Sequence, residues 1–224
     1  MNQAIENLPK KLFITGTDTE VGKTYCTSLL VKHLRQQGKS VFPFKPVSAG
    51  VESTCRVDDI AQNPDAFELW QACEKAFSVE TINPIVFQAP IAPHIAAQNE
   101  GRRLDMAGLD TVYRDMPDAD ITLVEGAGGW SLPLNERELM SDWVAKQNLP
   151  VILVVGIRLG CLNHALLTAQ AINLSGCRLQ GWIANFIEGE SETGRKNAEY
   201  LEQQFKRLYQ ADCLFEVQQG QRAL

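Results

Sequence analysis

The sequence has 224 residues and a formal net charge of −6, and 45% of its residues are hydrophobic and 21% charged. These proportions are typical of a soluble globular domain and give no sign of disorder, a fibre or a membrane protein. The acidic charge argues against a nucleic-acid partner, because proteins that bind nucleic acid usually present a basic surface to the phosphates. The length suits one α/β domain with a single core, so we predict one domain over residues 1–224.

The N-terminal stretch and the cysteines indicate a cytoplasmic protein. Residues 1–11 are mostly polar, and the apolar run at 12–14 is too short for a signal peptide or a membrane span. The six cysteines form no C-x-x-C pair and have no histidines at zinc-finger spacing. We therefore expect reduced, mostly buried thiols and no membrane partner.

Apolar runs alternate with helix-like segments along the chain. The predicted strands span residues 12–15, 41–44, 121–124, 151–155 and 179–184. The predicted helices span residues 24–37, 66–77, 106–116, 138–147, 164–174 and 195–209. This alternation predicts an α/β fold with a mostly parallel central sheet and helices on both faces. The proline-rich segment 83–94 is predicted to be an ordered loop and residues 218–224 a loose tail.

A glycine-rich segment between the first predicted strand and helix has the composition of a phosphate-binding loop. It reads Gly-Thr-Asp-Thr-Glu-Val-Gly-Lys-Thr at residues 16–24. Its backbone N–H groups can hold phosphates, Lys23 can reach the β- and γ-phosphates, and Thr24 can place its hydroxyl on Mg²⁺. Five residues separate Gly16 from Gly22, one more than in the standard Walker A pattern. The alternative is a glycine-rich turn without a ligand.

A carboxylate follows another predicted strand directly. Glu125 comes after the apolar run 121–124 and before a second glycine-rich segment. Alone it is equally well explained as a polar strand end. Beside a phosphate loop, a carboxylate in this position is the expected second ligand of a metal ion.

Further motifs narrow the interpretation to one family. They are Lys-Pro-Val at 45–47, Asn-Pro at 83–84, Pro-His at 93–94, Glu-Gly-Ala-Gly-Gly-Trp at 125–130, Leu-Gly-Cys-Leu-Asn-His at 159–164 and Gly-Trp-Ile-Ala-Asn at 181–185. With the phosphate loop, these motifs resemble the dethiobiotin synthetase family over residues 12–200. The resemblance implies a P-loop NTPase-like fold and a ligase of biotin synthesis that uses ATP as co-substrate and Mg²⁺ as cofactor.

The implied reaction combines 7,8-diaminononanoate, carbon dioxide and ATP. One amine forms a carbamate, the carbamate takes the γ-phosphoryl group, and the second amine closes the cyclic urea. The products are dethiobiotin, ADP and phosphate.

The resemblance also implies roles for individual residues. Lys45 and Lys23 are the implied catalytic residues, and Thr24, Asp65 and Glu125 the implied Mg²⁺ ligands, with Asp58 and Asp59 as nearby alternatives to Asp65. The implied nucleotide-binding residues are Glu20, Val21, Gly22, Lys23, Thr24, Tyr25, Asp65, Glu125, Gly126, Ala127, Gly128 and Asn185. The implied substrate-binding residues are Lys45, Ser48, Ala49, Leu159, Gly160, Cys161, Leu162 and Asn163. Two lysines and a metal ion suit this chemistry, because carbamate and phosphate are both anionic.

The segment 158–164 and the three histidines have implied or predicted roles in substrate binding, dimer formation or structure. In the family this segment binds the substrate carboxylate across a dimer interface, so the resemblance implies a homodimer. His33 and His164 are interpreted as helix residues with structural partners. For His94, a place in the substrate pocket and a structural role both stay open.

Two departures from the family put details in question. The family has Ser or Thr four residues after its active-site lysine, whereas this chain has Ala49 there and Ser48 one place earlier. The chain also lacks a Gly-Glu-Ile-Pro-like segment and stops soon after Phe215, which predicts weak selectivity for the base of the nucleotide.

Two other functions are alternatives to this interpretation. A related amidoligase or a partitioning ATPase is disfavoured, because no space remains for a glutaminase domain and residues 17–19 lack a signature lysine. A catalytically degenerate nucleotide-binding regulatory protein remains the alternative. ATP hydrolysis that depends on the diamino acid distinguishes an enzyme from such a binding module.

Overall fold

The computed structural model describes residues 3–224. Its strands are β1 (Lys11–Gly16), β2 (Val41–Phe44), β3 (Val47–Ala49), β4 (Glu52–Val57), β5 (Ile60–Gln62), β6 (Ile85–Phe87), β7 (Ile121–Gly129), β8 (Val151–Gly156), β9 (Leu179–Asn185) and β10 (Asp212–Val217). Its helices are α1 (Gln3–Glu6), α2 (Lys23–Gln36), α3 (Pro64–Ala72), α4 (Val79–Ile82), α5 (Pro93–Asn99), α6 (Met106–Arg114), α7 (Met140–Lys146), α8 (Cys161–Leu174) and α9 (Glu192–Tyr209).

Six strands form the central sheet in the order β10-β9-β8-β1-β7-β2. All neighbouring pairs in this sheet are parallel, and helices cover both faces. The strands are continuous apolar runs because both faces are buried, as in β8, where every residue is buried. The predicted fold class is confirmed, and the carboxyl ends of the strands meet along one edge of the sheet.

Local signals set where the site-forming helices begin. Gly22 precedes α2 in the left-handed region with φ +81°, a conformation that glycine adopts at little cost. Asn63 caps α3 by accepting a hydrogen bond from the N–H of Ala66 at 3.2 Å, and Pro64 occupies the first turn, where its missing N–H is not needed.

Several element boundaries differ from the predictions. The helix predicted over 66–77 begins at Pro64 and ends at Ala72, since Glu74 and Lys75 have positive φ angles of 55° and 61°. The helix predicted over 164–174 begins three residues earlier, at Cys161. The prediction of a loop over 83–94 is wrong in part, because β6 and the start of α5 lie within it.

The C-terminal residues and the cysteines contact the rest of the chain. In the segment predicted to be a loose tail, residues 218–224, the backbone carbonyl of Gln221 accepts a hydrogen bond from the Tyr25 hydroxyl, and Leu224 packs against the core. All six cysteines are free thiols, with Cys55 and Cys213 partly exposed and the others buried, as expected. Within residues 3–224, no helix is both long and apolar enough to cross a membrane.

Candidate active site

The glycine-rich segment 16–24 forms a loop between β1 and α2, as predicted. The backbone folds so tightly that a Cβ at Gly16 would lie 2.6 Å from Cγ2 of Val21. From the end of β9, the Asn185 amide donates a hydrogen bond to the carbonyl of Val21 at 2.9 Å. The same amide closes over Gly22, where a Cβ would lie 2.2 Å from its nitrogen. The end of β9, two strands away from β1 in the sheet, therefore braces the loop.

A cavity of about 700 Å³ opens above this loop. Its walls include most of the predicted site residues, namely Glu20, Gly22, Lys23, Thr24, Tyr25, Lys45, Ser48, Ala49, Asp65, Ala127 and Gly128. Val21, Glu125, Gly126 and Asn185 do not line the cavity, and Val21, Glu125 and Asn185 are buried. The contacts of the Asn185 amide show that this side chain braces the loop.

The parallel register of the sheet brings Lys45 to Glu125. Phe44 of β2 pairs with Val124 of β7, so the next residues along both strands are neighbours. The Lys45 ammonium lies 2.8 Å from Oε1 of Glu125 and 2.5 Å from Oδ2 of Asp65, at the start of α3. The Thr24 hydroxyl donates to the same Oε1 of Glu125 at 2.7 Å. Four predicted residues thus form one cluster, in which Lys45, Glu125 and Thr24 are buried and the Asp65 side chain is 45% exposed.

Burial and charge shift the pKa values of both lysines. Burial favours the neutral amine of Lys45, but the negative charges of Glu125 and Asp65 outweigh burial and raise its pKa. Burial is the main reason why the pKa of Lys23 falls to about 8, and the nearby positive charge of Lys45 lowers it further. The Lys45 charge and hydrogen bond lower the pKa of Asp65 despite burial. The cluster therefore favours the ionised carboxylate of Asp65.

The donor set fits a divalent cation. Oε2 of Glu125 is buried and has no hydrogen-bond partner among the described residues, although a buried carboxylate oxygen normally has one. Carboxylate and hydroxyl oxygens of Glu125, Asp65 and Thr24 are the hard ligands that Mg²⁺ prefers. No group of three or more His, Cys, Asp or Glu within residues 3–224 is arranged for a metal. Mg²⁺ is usually held by one or two carboxylates together with substrate phosphates, so two carboxylates are sufficient.

The structure adds cavity residues that the sequence analysis missed. Glu68 lies one helical turn after Asp65 on α3 and lines the cavity, and burial raises its pKa. The spacing of three residues from Asp65 was a signal available in the sequence. Thr19, Asn63, Leu132 and the segment 90–93 complete the wall.

Some predicted site residues lie elsewhere. Leu159 to Asn163 surround the start of α8 and do not line the cavity, and the Leu159 side chain is 92% exposed. Asp58 and Asp59 form the turn between β4 and β5, so Asp65 is the aspartate that reaches the cluster. His94 lines a separate cavity beside Arg102. His33 of α2 contacts Gln37, the residue directly after the helix, at 3.0 Å, which is a structural position.

Fold and site together define a P-loop nucleotide-binding protein. The chain is 45% identical to the ATP-dependent dethiobiotin synthetase BioD of Serratia marcescens over 195 residues, which cover 87% of this chain and 84% of that protein. It is 43% identical to the same enzyme of Pseudomonas paraeruginosa over 207 residues, with coverage of 92% and 88%. The chain belongs to the ATP-dependent dethiobiotin synthetase family.

Other comparisons agree with the fold. A family model described as an AAA domain matches residues 10–211. Among solved structures, the MinC:MinD cell division complex of Aquifex aeolicus covers 95% of this chain and 83% of its own, with a TM-score of 0.53 and 13% identity. A ParA family ATPase of Chlorobium tepidum gives a TM-score of 0.51 at 12% identity, with coverage of 95% and 85%. At such identities, these likenesses concern the fold alone.

Proposed function

We propose that this chain is a ligase that makes dethiobiotin from 7,8-diaminononanoate, carbon dioxide and ATP. The observation that carries the proposal is the Lys45 ammonium, held between Asp65 and Glu125 beside the phosphate loop. A phosphate-binding loop alone indicates a nucleotide. A second buried lysine in the same cavity adds positive charge for a second anion, which the carbamate supplies.

The proposed mechanism relies on positioning and charge. The loop N–H groups and Lys23 bind the β- and γ-phosphates, and Lys45 binds the carbamate close to the γ-phosphorus. The carbamate oxygen attacks that phosphorus and ADP leaves. The second amine then attacks the carbamoyl carbon, phosphate leaves, and the ring closes. Holding both anions together against their repulsion is the contribution of the two lysines.

Mg²⁺ is the proposed cofactor of this site. Thr24, Asp65 and Glu125 would hold it, as the unpartnered oxygen of Glu125 supports. When bound, it neutralises charge on the phosphates. The carboxylates of Asp65 and Glu125 then have two roles, because they also orient Lys45.

A homodimer is proposed as the working assembly. Residues 159–163 would bind the carboxylate of a substrate held by the partner, using free N–H groups at the start of α8. The exposed leucines of this region support an interface, with Leu159, Leu167 and Leu174 exposed by 92%, 56% and 77%. The cytoplasm is the proposed location, since ATP and the other substrates are metabolites.

The test incubates the protein with MgATP, bicarbonate and the diamino acid and follows dethiobiotin and ADP together. We expect both to form in equal amounts, and Lys45→Ala and Lys23→Ala each to lower the rate about 100-fold or more. Lys146→Ala is the matched control, because Lys146 pairs with Asp110 at 2.6 Å on the surface. Binding of ATP without either product would instead identify a catalytically degenerate binding module.

A further inference from the structure

A buried asparagine that the proposed mechanism does not use lies directly behind the catalytic lysine. Asn83 follows α4, and only 4% of it is exposed. Its Nδ2 donates to the backbone carbonyl of Lys45 at 2.6 Å, and its Oδ1 lies 2.7 Å from the hydroxyl oxygen of Ser48. One side chain thus contacts both Lys45 and Ser48, two residues of the candidate site.

The orientation of the Asn83 amide is determined by its first partner. A carbonyl oxygen accepts hydrogen bonds and never donates, so the NH₂ group must face Lys45. The amide oxygen then necessarily faces Ser48. Because this oxygen also only accepts, the Ser48 hydroxyl must donate its single proton to it.

This arrangement determines what Ser48 can offer to a ligand. Ser48 lines the cavity, and its only proton is used in the bond to Asn83. Any hydrogen bond that the Ser48 hydroxyl makes to a bound molecule must therefore be one that it accepts. A group with N–H protons, such as the amine of the diamino acid, fits this requirement, whereas a carboxylate or phosphate oxygen does not.

The backbone of Lys45 is held on both sides by the same segment. Its N–H donates to the carbonyl of Ile82 at 2.8 Å, and its carbonyl accepts from Asn83. Strand β3 then pairs with β6, which begins two residues after Asn83. The residues around Asn83 therefore fix the position of the Lys45 backbone. They thereby fix the point from which the Lys45 side chain extends into the cavity.

We propose that Asn83 is a positioning residue that makes Ser48 an acceptor for a substrate amine while it holds the backbone of Lys45. The hydroxyl of Ser48 thereby replaces the one absent at Ala49. This inference rests on the proposed function. It adds Asn83 as a residue that positions the site. It also states that the Ser48 hydroxyl accepts a hydrogen bond from the substrate, which determines which group of the substrate is recognised.

The test is a double-mutant cycle of Ser48→Ala and Asn83→Ala, with KM for the diamino acid, KM for ATP and kcat measured for each variant. We expect Ser48→Ala to raise KM for the diamino acid about tenfold, as loss of one hydrogen bond does, and to leave KM for ATP within about twofold. Asn83→Ala should raise the same KM and also lower kcat through Lys45. In the Ser48→Ala background, Asn83→Ala should raise KM for the diamino acid no further, because the two residues act as one unit.

Asn135→Ala is the matched control. Asn135 also joins two segments through its amide, donating to the carbonyl of Leu104 at 3.0 Å and accepting from the N–H of Arg137 at 3.0 Å. The Asn135→Ala variant should lose thermal stability without a change in its KM for the diamino acid. Calorimetric binding of ADP verifies that each variant is folded.

The outcomes separate this inference from the proposed function. If the native protein neither binds the diamino acid nor makes dethiobiotin, both ideas fail. If the native protein is active but the two substitutions act independently, or Asn83→Ala behaves like Asn135→Ala, the role of Asn83 is overturned alone. Should Asn83→Ala not fold, Ser48→Ala decides by itself, since an unchanged KM for the diamino acid would contradict the proposal.

Discussion

Lys45 links the chemistry of the site to its stability. Glu125 is fully buried, and loss of one partner from a buried ion pair costs about 3–5 kcal/mol. We expect Lys45→Met to make no dethiobiotin and, measured in EDTA by calorimetry, to melt about 10 °C below the native protein. Mg²⁺ should restore part of the loss by binding the freed carboxylates. A variant unchanged by Mg²⁺ would argue against a metal at Glu125.

The low pKa of Lys23 predicts a pH dependence of nucleotide binding. Phosphate needs the charged ammonium, and the charged fraction falls as the pH rises through about 8. The affinity for ADP, measured by calorimetry in EDTA, should therefore weaken above this pH, by up to about tenfold per pH unit. Lys23→Arg keeps its charge, so its affinity should stay flat over the same range. Equal slopes for both proteins would contradict the prediction.

At the scale of elements, the join between β1 and α2 depends on Gly22. Alanine there meets both an unfavourable φ of +81° and the amide of Asn185. We expect Gly22→Ala to weaken ADP binding about tenfold or more, because strain and overpacking each cost about 1–3 kcal/mol. Adding Asn185→Ala to the Gly22→Ala variant should relieve the overpacking and leave the backbone strain unchanged.

A glycine at the other end of α2 provides the control for this prediction. Gly38, beyond the end of the helix, has a φ of +82°, and no described atom lies within 4 Å of a Cβ built there. Gly38→Ala should lower the free energy of unfolding by about 1–2 kcal/mol and leave ADP binding unchanged. If both alanine variants bind ADP equally well, contact with Asn185 does not shape the loop.

The elements differ in how far the sequence reveals them. Five strands of the central sheet were predictable, because burial on both faces makes them continuous apolar runs. The edge strand β10 was missed, since Asp212 and Glu216 interrupt its apolar pattern. Likewise, the phosphate loop can be recognised because its residues are consecutive in the sequence. By contrast, the contacts of Lys45 with Asp65 and of Ser48 with Asn83 join residues 20 and 35 positions apart. Such pairs depend on sheet register and loop paths, which composition does not encode.

At the scale of the whole molecule, the cavity of a single chain holds only part of the predicted site. The parallel sheet gathers the phosphate loop, Lys45 and Glu125 at one edge. The segment 159–163, predicted to bind the substrate carboxylate, lies outside this cavity. Nucleotide binding and substrate binding should therefore depend differently on assembly.

Substitutions on the exposed face of α8 test this separation. Leu167 and Leu174 are 56% and 77% exposed. Glutamate at both positions should produce a monomer by light scattering, because like charges would meet in the proposed interface between two copies of α8. The monomer should keep its affinity for ADP, since one chain supplies the phosphate loop, but its KM for the diamino acid should rise about tenfold or more with loss of the carboxylate contact. Leu208→Glu is the control, because Leu208 is 48% exposed on α9. A monomeric native protein with full activity would show instead that one chain completes the site alone.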